Sequence, residues 1–515
     1  MDYLICTAGF LLVAFLSPFA KASKLGSNKK KICDASYALL VSLLIVTTFD
    51  VCPYTGRMLD GDSSVFIYIA KMMHRGYVPY RDLFDHKGPW LYFIEFCGLS
   101  GGTVFLWVLE LIAAFVTICI ALRIAEYFTE NALVRYLSVF ACFYVAGFYL
   151  YRGGNYTEFW SLPFICLSLL IFVKFFKQDE YSKLSIVLVG LTFGIVFLLR
   201  CNLISVWAVF MPAVVIKLIA KKRWKDILIC AGLFIAGIIL CIIPVVVYYG
   251  VNNAMGPMYE YYWNYNLFYT GTQASLDNKI GVFIHLAKYI WPGWIALLVA
   301  LYKNRDLPLY AVNMLYLIVS IVLSVISGRA YENYFLNCLP CLIIPLTLTL
   351  NLLADITSED SKKRKVPMVI LLAVCMLASM VPSIIKNVTL DPVRLQRKNA
   401  VTDYMTANTS PDSDVYVLGG NGMYNIYSER YTKQKFFYQF PLTYNDELYS
   451  QFWQDMQKDP PDAIVVPSKW KEFDEMSDEE RAVGVAAIRY DTDVFCSSNG
   501  YSLEKSEKFY VYTRS

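Results

Sequence analysis

Chemically active side chains are concentrated at positions 53–102, between two apolar segments of the chain. This stretch contains the runs DGDSSVFIY at 60–68 and GYVPYRDLFDHKGP at 76–89. Connections between helices are usually short, so one of this length and charge indicates a function. A solvated surface loop has a similar composition. Here, however, several acids, a lysine and an arginine lie near the membrane surface beside aromatic residues, and a carboxylate in such a place can accept a proton.

The composition of the chain indicates that lipid is its main solvent. Apolar residues make up 57% of the 515 residues and charged residues only 17%, whereas a soluble domain carries about a quarter charged residues. The net charge of +4 is small and lies mostly in short loops, so nucleic acid is not expected as a partner. Only three histidines occur, which argues against a histidine-rich metal centre.

Apolar runs long enough to cross a bilayer recur along most of the chain. They lie near 4–20, 34–52, 103–125, 133–151, 159–176, 184–201, 203–219, 226–250, 281–302, 308–326, 335–354 and 366–385. Basic loops stay on the cytoplasmic side of a membrane. Strict alternation of these segments places every basic cluster on that side, and the clusters lie at 21–31, 174–183, 217–225, 303–305 and 362–365.

This alternation predicts that the N-terminus, the loop 53–102 and the tail from 386 are extracytoplasmic. The segment 4–20 could instead be a signal peptide, but its basic residues follow the apolar run rather than precede it. We therefore expect it to remain as a helix. The predicted fold is a polytopic α-helical membrane domain at 1–385, with about 11–13 transmembrane helices, followed by a small soluble extracytoplasmic α/β domain at 386–515.

The tail has the alternating patterns of a small α/β domain. Strands are predicted at 414–418, 435–440, 463–467 and 509–513, and a helix at 444–458. The run GGNG at 419–422 lacks the spacing of a phosphate-binding loop and is predicted to be a plain turn.

The loop 53–102 resembles the first external loop of the GT-C glycosyltransferases. The resemblance rests on the patterns G-D-x(5)-Y from Gly61, G-x-x-P-Y-R-D from Gly76 and D-x-K-x-P from Asp85. It is strongest for the bacterial branch related to protein O-mannosyltransferases and aminoarabinose transferases. The runs RGGNYTE at 152–158 and SGRAYENYF at 327–335 resemble later elements of the same family. Such enzymes move a sugar from a polyprenyl-phosphate carrier to an acceptor on the outer side of the membrane.

The resemblance also implies roles for individual residues. Asp62 would take the proton of the acceptor hydroxyl in an inverting displacement, with Asp60 as the substitute base. The alternative is that Asp62 or Ser63 caps the helix predicted at 65–73. Lys87 would contact the donor phosphate, although a lysine beside Trp90 could also serve as an interfacial anchor. Glu158 would be the second acid, which orients the acceptor or binds a metal, unless it is an ordinary interfacial residue.

Further charged residues complete the candidate site, because a lipid phosphate needs fixed positive charge near the membrane surface. Arg200 follows an apolar run, and an ionisable group there either faces a cavity or reaches to the interface. Asp85 could bind substrate or simply pair with Lys87 or Arg81. The predicted substrate-binding residues are Lys87, Arg329, Asp85, Asp82, Arg81, Tyr68, Arg152 and Arg200, and the predicted catalytic residues are Asp62 and Glu158.

The chain departs from the family pattern at three positions. Gly88 stands where the family has a second proline, Asn333 replaces a late histidine, and His86 precedes Lys87 where relatives have other residues. These differences leave the sugar and the acceptor unassigned, and they leave a divalent metal as an open alternative. Aromatic residues at 258–265 suit sugar stacking but are also typical of an interfacial belt, which is the interpretation we adopt.

The resulting prediction is a multi-pass glycosyltransferase of a bacterial plasma membrane, transferring a hexosyl or pentosyl group. Its partners would be a polyprenyl-phosphate sugar donor, a glycan, lipid or protein acceptor, and the bilayer. A carrier or flippase for lipid-linked sugars is one alternative, but the paired half-sequences of transporters are not evident. The others are an envelope polysaccharide polymerase or ligase, which would centre on a large later external loop, and an assembly protein with a degenerate site.

Overall fold

The structure of the protein is a computed structural model. It describes residues 27–53, 59, 61–267, 275–303, 307–358, 392–439, 442, 445–467, 484–506 and 508–514. The predicted spans 4–20 and 366–385, the residue Asp60 and the predicted domain boundary at 386 lie outside these residues.

The membrane part is a bundle of apolar helices. Its described helices are α1 (Ser27–Val46), α2 (Gly61–His74), α3 (Pro89–Leu99), α4 (Gly102–Glu126), α5 (Ala132–Phe140), α6 (Thr157–Gln178), α7 (Lys183–Phe197), α8 (Ser205–Ala220), α9 (Trp224–Val251), α10 (Met255–Met258), α11 (Leu276–Ala287), α12 (Trp291–Lys303), α13 (Leu307–Val325) and α14 (Leu339–Ser358). Within the described residues, α4, α6, α9, α13 and the helical segment that includes α14 are long and apolar enough to span a membrane.

These helices confirm the predicted polytopic helical class. The shorter helices α7 and α8, and α5 with its π-helical continuation Ala141–Ala146, are also apolar. The number of spans stays a prediction, because two of the predicted segments are not among the described residues.

The described part of the loop 53–102 is folded and contains the helices α2 and α3. Proline at the first position of α3 suits a helix start, where its missing N–H costs nothing. Gly88, just before it, lies against the end of α7, and its N–H donates to the Leu199 carbonyl at 3.1 Å. A Cβ atom at Gly88 would lie 2.0 Å from the Leu198 oxygen. Gly88, which stands where the family has a proline, therefore lies at a close contact between the backbone of the loop and the backbone that follows α7.

The C-terminal part is a small sheet with helices. Its elements are α15 (Pro392–Asn408), β1 (Val415–Val417), α16 (Met423–Ser428), α17 (Asp446–Lys458), β2 (Ala463–Pro467), α18 (Gly484–Ser498), β3 (Tyr501–Lys505) and β4 (Phe509–Arg514). The strand order is β1-β2-β4-β3. Strand β1 is parallel to β2, with Val415 opposite Ala463, and the other pairs are antiparallel.

One predicted strand of this domain is wrong. Residues 435–439 have no strand pairing, whereas β3 was not predicted. The backbone of the segment is instead bonded to its surroundings: the Lys435 carbonyl accepts from Phe84 N–H at 2.9 Å, and the Phe436 carbonyl accepts from Tyr416 Oη at 3.1 Å. The apolar alternation that suggested a strand packs the segment against the loop 53–102.

The C-terminal part, which keeps its predicted name of soluble domain below, is docked directly on that loop. The ring of Tyr68 in α2 stacks on Phe437 with a centroid distance of 4.0 Å, and its hydroxyl donates to the Thr432 carbonyl at 3.1 Å. Phe84 packs against Phe436 with a centroid distance of 5.2 Å. One continuous apolar core therefore includes residues of the membrane helices, the loop and the soluble domain.

Helices α7 and α9 approach each other closely through glycines. A Cβ atom at Gly190 would lie 2.0 Å from the Phe234 oxygen, and one at Gly237 would lie 2.1 Å from the Val187 oxygen. Small residues allow such close backbone packing in membranes. This contact sets the distance between the middle of α7 and α9, and Arg200 lies just beyond the end of α7.

We predict that Gly237→Ala separates α7 from α9 and lowers the free energy of unfolding by about 1–3 kcal/mol, as overpacking does. The midpoint of thermal unfolding of the purified protein in detergent measures the change. Gly232→Ala is the matched control on the same helix, because a Cβ atom there would meet nothing within 4 Å. Equal midpoints for the two variants would contradict the close contact.

Candidate functional site

A cavity of about 570 Å³ lies where the loop 53–102, several membrane helices and the soluble domain meet. Charged residues from separate parts of the chain converge on it. Five of the predicted site residues line this cavity: Asp62, Asp85, Lys87, Arg152 and Arg200.

Asp62 and Lys87 face each other across part of this cavity. Asp62 Oδ2 lies 3.6 Å from Lys87 Nζ, and the Asp62 side chain is 47% exposed whereas that of Lys87 is 13% exposed. Asp62 lies in the first turn of α2, where a carboxylate also interacts favourably with the helix dipole. Because the helix begins at Gly61, Asp62 lies inside the first turn and not at the cap position predicted for it, and its carboxylate remains accessible from the cavity.

The start of α2 is held in place by Asn155 in the turn before α6. The Asn155 amide donates to Ser63 Oγ at 3.1 Å and accepts from Trp160 Nε1 at 3.0 Å. Its backbone N–H donates to Glu110 Oε1 at 2.7 Å. All of these groups are buried, so the position of Asp62, which neighbours Ser63, is fixed by a polar network.

The electrostatic surroundings keep Lys87 charged. Burial lowers the pKa of Lys87, but the carboxylates of Asp62 and Asp85 together outweigh it, so the pKa lies above its ordinary value. The pKa of His86 is held well below its ordinary value by burial and by nearby cations, of which Lys87 is the first. His86 is therefore neutral at physiological pH, and the positive charge at this point of the loop belongs to Lys87.

Asp85 is a connecting residue rather than a free carboxylate. Its oxygens accept from Tyr92 Oη at 2.7 Å, from Tyr438 Oη at 2.8 Å and from the His86 N–H at 2.8 Å. Burial raises the pKa of Asp85, and Lys87 and these hydrogen bonds partly offset that effect. Because its acceptor sites are occupied, Asp85 is best suited to joining the loop to the soluble domain.

Glu158 and Arg200 form a buried ion pair at one side of the cavity. Glu158 is 1% exposed and also accepts from Thr157 Oγ1 at 3.0 Å. The Arg200 guanidinium lies 4.1 Å from the centroid of the Tyr334 ring. Arg200 lines the cavity, whereas Glu158 does not, so the carboxylate orients the arginine from behind. Of the two alternatives for Arg200, the cavity-facing one is the observed arrangement.

The remaining predicted residues are divided between the cavity and its surroundings. Arg152 lines the cavity and pairs with Glu332 at 3.1 Å. Arg329 is half-buried and does not belong to the lining. Arg81 and Asp82 form a local ion pair at 2.8 Å outside the lining. Burial raises the pKa of Asp82, but the hydrogen bonds from Arg81 and the Val78 N–H outweigh it and lower the pKa overall.

Tyr68 is also outside the lining, and its buried ring holds the soluble domain on the loop. Within the described residues, no three His, Cys, Asp or Glu side chains are grouped as ligands for a metal ion.

Sequence reasoning missed two groups of cavity residues. Tyr262 and Trp263, assigned to an interfacial belt, lie in the π-helical turn Tyr259–Asn264 and line the cavity. A departure from α-helical winding of this kind is frequent at functional sites but has no signature in sequence. The second group comes from the soluble domain: Gly419, Gly420, Asn421, Tyr438 and Gln439. The GGNG run was the available signal, and it was interpreted only as a turn.

The architecture is similar to that of a protein whose structure is solved in two states. ArnT from Cupriavidus metallidurans bound to undecaprenyl phosphate matches with a TM-score of 0.60 and 12% sequence identity, over 95% of this chain and 98% of that one. The apo state of the same protein matches with a TM-score of 0.54 and 11% identity, with the same coverage. At this identity the likeness shows the fold, and it confirms the GT-C resemblance at that level.

No curated protein matches the sequence significantly. A family model described as "Putative competence-induced protein Ccs4 N-terminal domain" matches residues 25–380, which is more than half of the chain, and the protein therefore belongs to that family.

Proposed function

We propose that this protein transfers a sugar from a polyprenyl-phosphate donor to an acceptor hydroxyl at the outer face of the membrane. The observation that carries the proposal is the cavity in which the accessible Asp62 carboxylate lies beside Lys87, Arg152 and Arg200. The fold neighbour in its form bound to undecaprenyl phosphate supports a lipid phosphate as one ligand of such a cavity.

The cations of the cavity form the donor-phosphate side of the proposed site. Hydrogen bonds from lysine or arginine to phosphate are about twice as strong as neutral ones, and they are strengthened where water is excluded. Lys87 is suited to this role because its pKa is raised and its side chain is mostly buried. Arg200, held by Glu158, supplies a second fixed charge.

Asp62 is the proposed general base. The acceptor oxygen attacks the anomeric carbon, the bond from that carbon to the phosphate oxygen breaks, and the leaving phosphate keeps the electron pair. The acceptor's proton passes to Asp62, and the configuration at the anomeric carbon inverts. In the free protein Lys87 pairs with Asp62. When Lys87 turns to the donor phosphate, the carboxylate becomes available to the acceptor.

The charge distribution supports an extracytoplasmic cavity. Helix α6 begins at Thr157, with Glu158 in its first turn beside the cavity. It is followed by Asp179, which pairs with Lys217 at 3.5 Å and with Arg223 at 3.7 Å. A helix of this length is roughly 33 Å long, which matches the hydrocarbon thickness of a bilayer. The basic cluster and the cavity therefore lie on opposite sides, and the positive-inside rule assigns the cluster to the cytoplasm.

We predict that Asp62→Asn lowers the rate of sugar transfer by about 10²- to 10⁴-fold, the usual contribution of a general base. The measurement is the movement of radiolabelled sugar from the lipid fraction into glycan or lipid acceptors in isolated membranes. Asp412→Asn, an exposed position of the soluble domain, is the matched control. Transfer at the wild-type rate by Asp62→Asn would exclude Asp62 as the general base.

A second prediction concerns the phosphate. Lys87→Met should weaken binding of undecaprenyl phosphate about 10- to 100-fold, because a hydrogen bond to a charged group contributes roughly 1.5–3 kcal/mol. Titration of the full-length protein in lipid nanodiscs measures the affinity. The exposed Lys433→Met is the control variant, and undecaprenol, which lacks the phosphate, is the control ligand. An unchanged affinity for undecaprenyl phosphate would remove Lys87 from the donor site.

A further inference from the structure

The soluble domain supplies one wall of the cavity. The wall contains the loop 419–421 together with Tyr438 and Gln439. These residues come from two separate segments of the domain, and both segments reach the cavity because the domain is docked on α2 and on the loop 53–102.

The backbone of the loop 419–421 is held in an unusual conformation. Gly419, Gly420, Asn421 and the next residue, Gly422, all have positive φ, with values of 86°, 87°, 51° and 80°. Glycine adopts this region freely, and asparagine is one of the few other residues that tolerates it. Four successive residues of this kind make a bend that most sequences could not form.

Contacts on two sides fix the bend. The Gly419 N–H donates to Gln439 Oε1 at 2.7 Å, and the Gln439 amide donates to Tyr416 Oη at 2.6 Å. On the other side Gly422 lies against the Tyr68 ring, where an added Cβ atom would be 2.8 Å from Cδ2. The loop is thus positioned by buried groups before any ligand binds.

This wall differs in chemistry from the part of the lining that carries the cations. Its side chains are uncharged amide and phenol groups, whereas Lys87, Arg152 and Arg200 carry the positive charge of the cavity. The Asn421 side chain is half-buried, and it makes no hydrogen bond to any other residue that the structure describes. An amide offers two donors and an acceptor oxygen, which are complementary to the paired donor and acceptor character of sugar hydroxyls.

We propose that the loop 419–421 is the acceptor subsite, and that Asn421 binds hydroxyl groups of a carbohydrate acceptor. This inference rests on the proposed function. It assigns donor phosphate to the cationic wall and the acceptor sugar to the neutral wall, with Asp62 between them. The acceptor sugar belongs either to an envelope glycan or to a glycolipid headgroup, which share this chemistry.

The test uses the full-length protein and acceptors from membranes that lack it. One arm supplies the solvent-extracted lipid fraction, and the other supplies the insoluble envelope glycan. In each arm the amount of acceptor is varied, and the rate of radiolabelled sugar transfer is measured. The arm that supports transfer identifies the source of the acceptor sugar.

Asn421→Gly is the informative variant, because glycine keeps the positive φ and removes only the amide. We expect it to raise the amount of acceptor needed for half-maximal rate by about 3- to 30-fold, which corresponds to the loss of one or two neutral hydrogen bonds. Its affinity for undecaprenyl phosphate should stay within about twofold of wild type. Asn253→Gly is the matched control, an exposed asparagine with a φ of 52° outside the cavity lining.

Two results would overturn the inference. One is an unchanged acceptor dependence in Asn421→Gly, and the other is a loss of undecaprenyl phosphate affinity as large as that of Lys87→Met. Asn421→Asp, which keeps the size of the side chain but removes its donors, should also raise the acceptor requirement if the glycine variant is unstable. Failure of the proposed function itself would give a different result. In that case the wild-type protein would show no sugar transfer that Asp62→Asn reduces.

Discussion

The arrangement of the site depends on the buried carboxylate of Asp85. It accepts one hydrogen bond from the hydroxyl of Tyr92 in α3 and another from the hydroxyl of Tyr438 in the soluble domain. A buried carboxylate is costly unless its oxygens are hydrogen-bonded, so these partners are held together firmly. Lys87 follows two residues later, and its carbonyl accepts from Tyr80 Oη at 2.5 Å. The position of the proposed phosphate-binding lysine is therefore set by the contact that docks the soluble domain.

Charge balance is the second constraint on the cavity. Lys87 is paired with Asp62, Arg200 with Glu158, and Arg152 with Glu332. Unpaired cations at a partly buried site would be strongly destabilising. The pairings also differ in accessibility, because Glu158 is almost fully buried whereas Asp62 is about half exposed. In the proposed mechanism, a bound phosphate therefore replaces Asp62 as the partner of Lys87 without disturbing the orientation of Arg200.

Sequence predicted those residues of the candidate cavity that belong to short local patterns. Asp62 and Lys87 belong to short patterns within one loop, and Arg200 was detectable because a charge at the end of an apolar run needs a reason. Arg81 and Asp82 belong to the same loop but pair with each other outside the cavity lining. The sequence pattern does not show whether a loop side chain lies inside or outside the cavity. The wall at 419–421 could not be predicted, because it lies more than 300 positions from Asp62 and depends on tertiary docking.

The boundary of the family match separates the two walls of the cavity. Residues 25–380 include Asp62 and all three cavity cations named above, whereas Asn421 and Gln439 lie beyond the matched region. Phosphate recognition needs the same fixed charges whatever sugar is carried, but acceptor recognition depends on hydroxyl positions that differ between glycans. A site divided in this way can retain its donor half while the acceptor half changes. Any change in the acceptor half must then preserve the docking contacts of Tyr68 and Tyr438. These contacts hold the soluble domain in position against the loop 53–102.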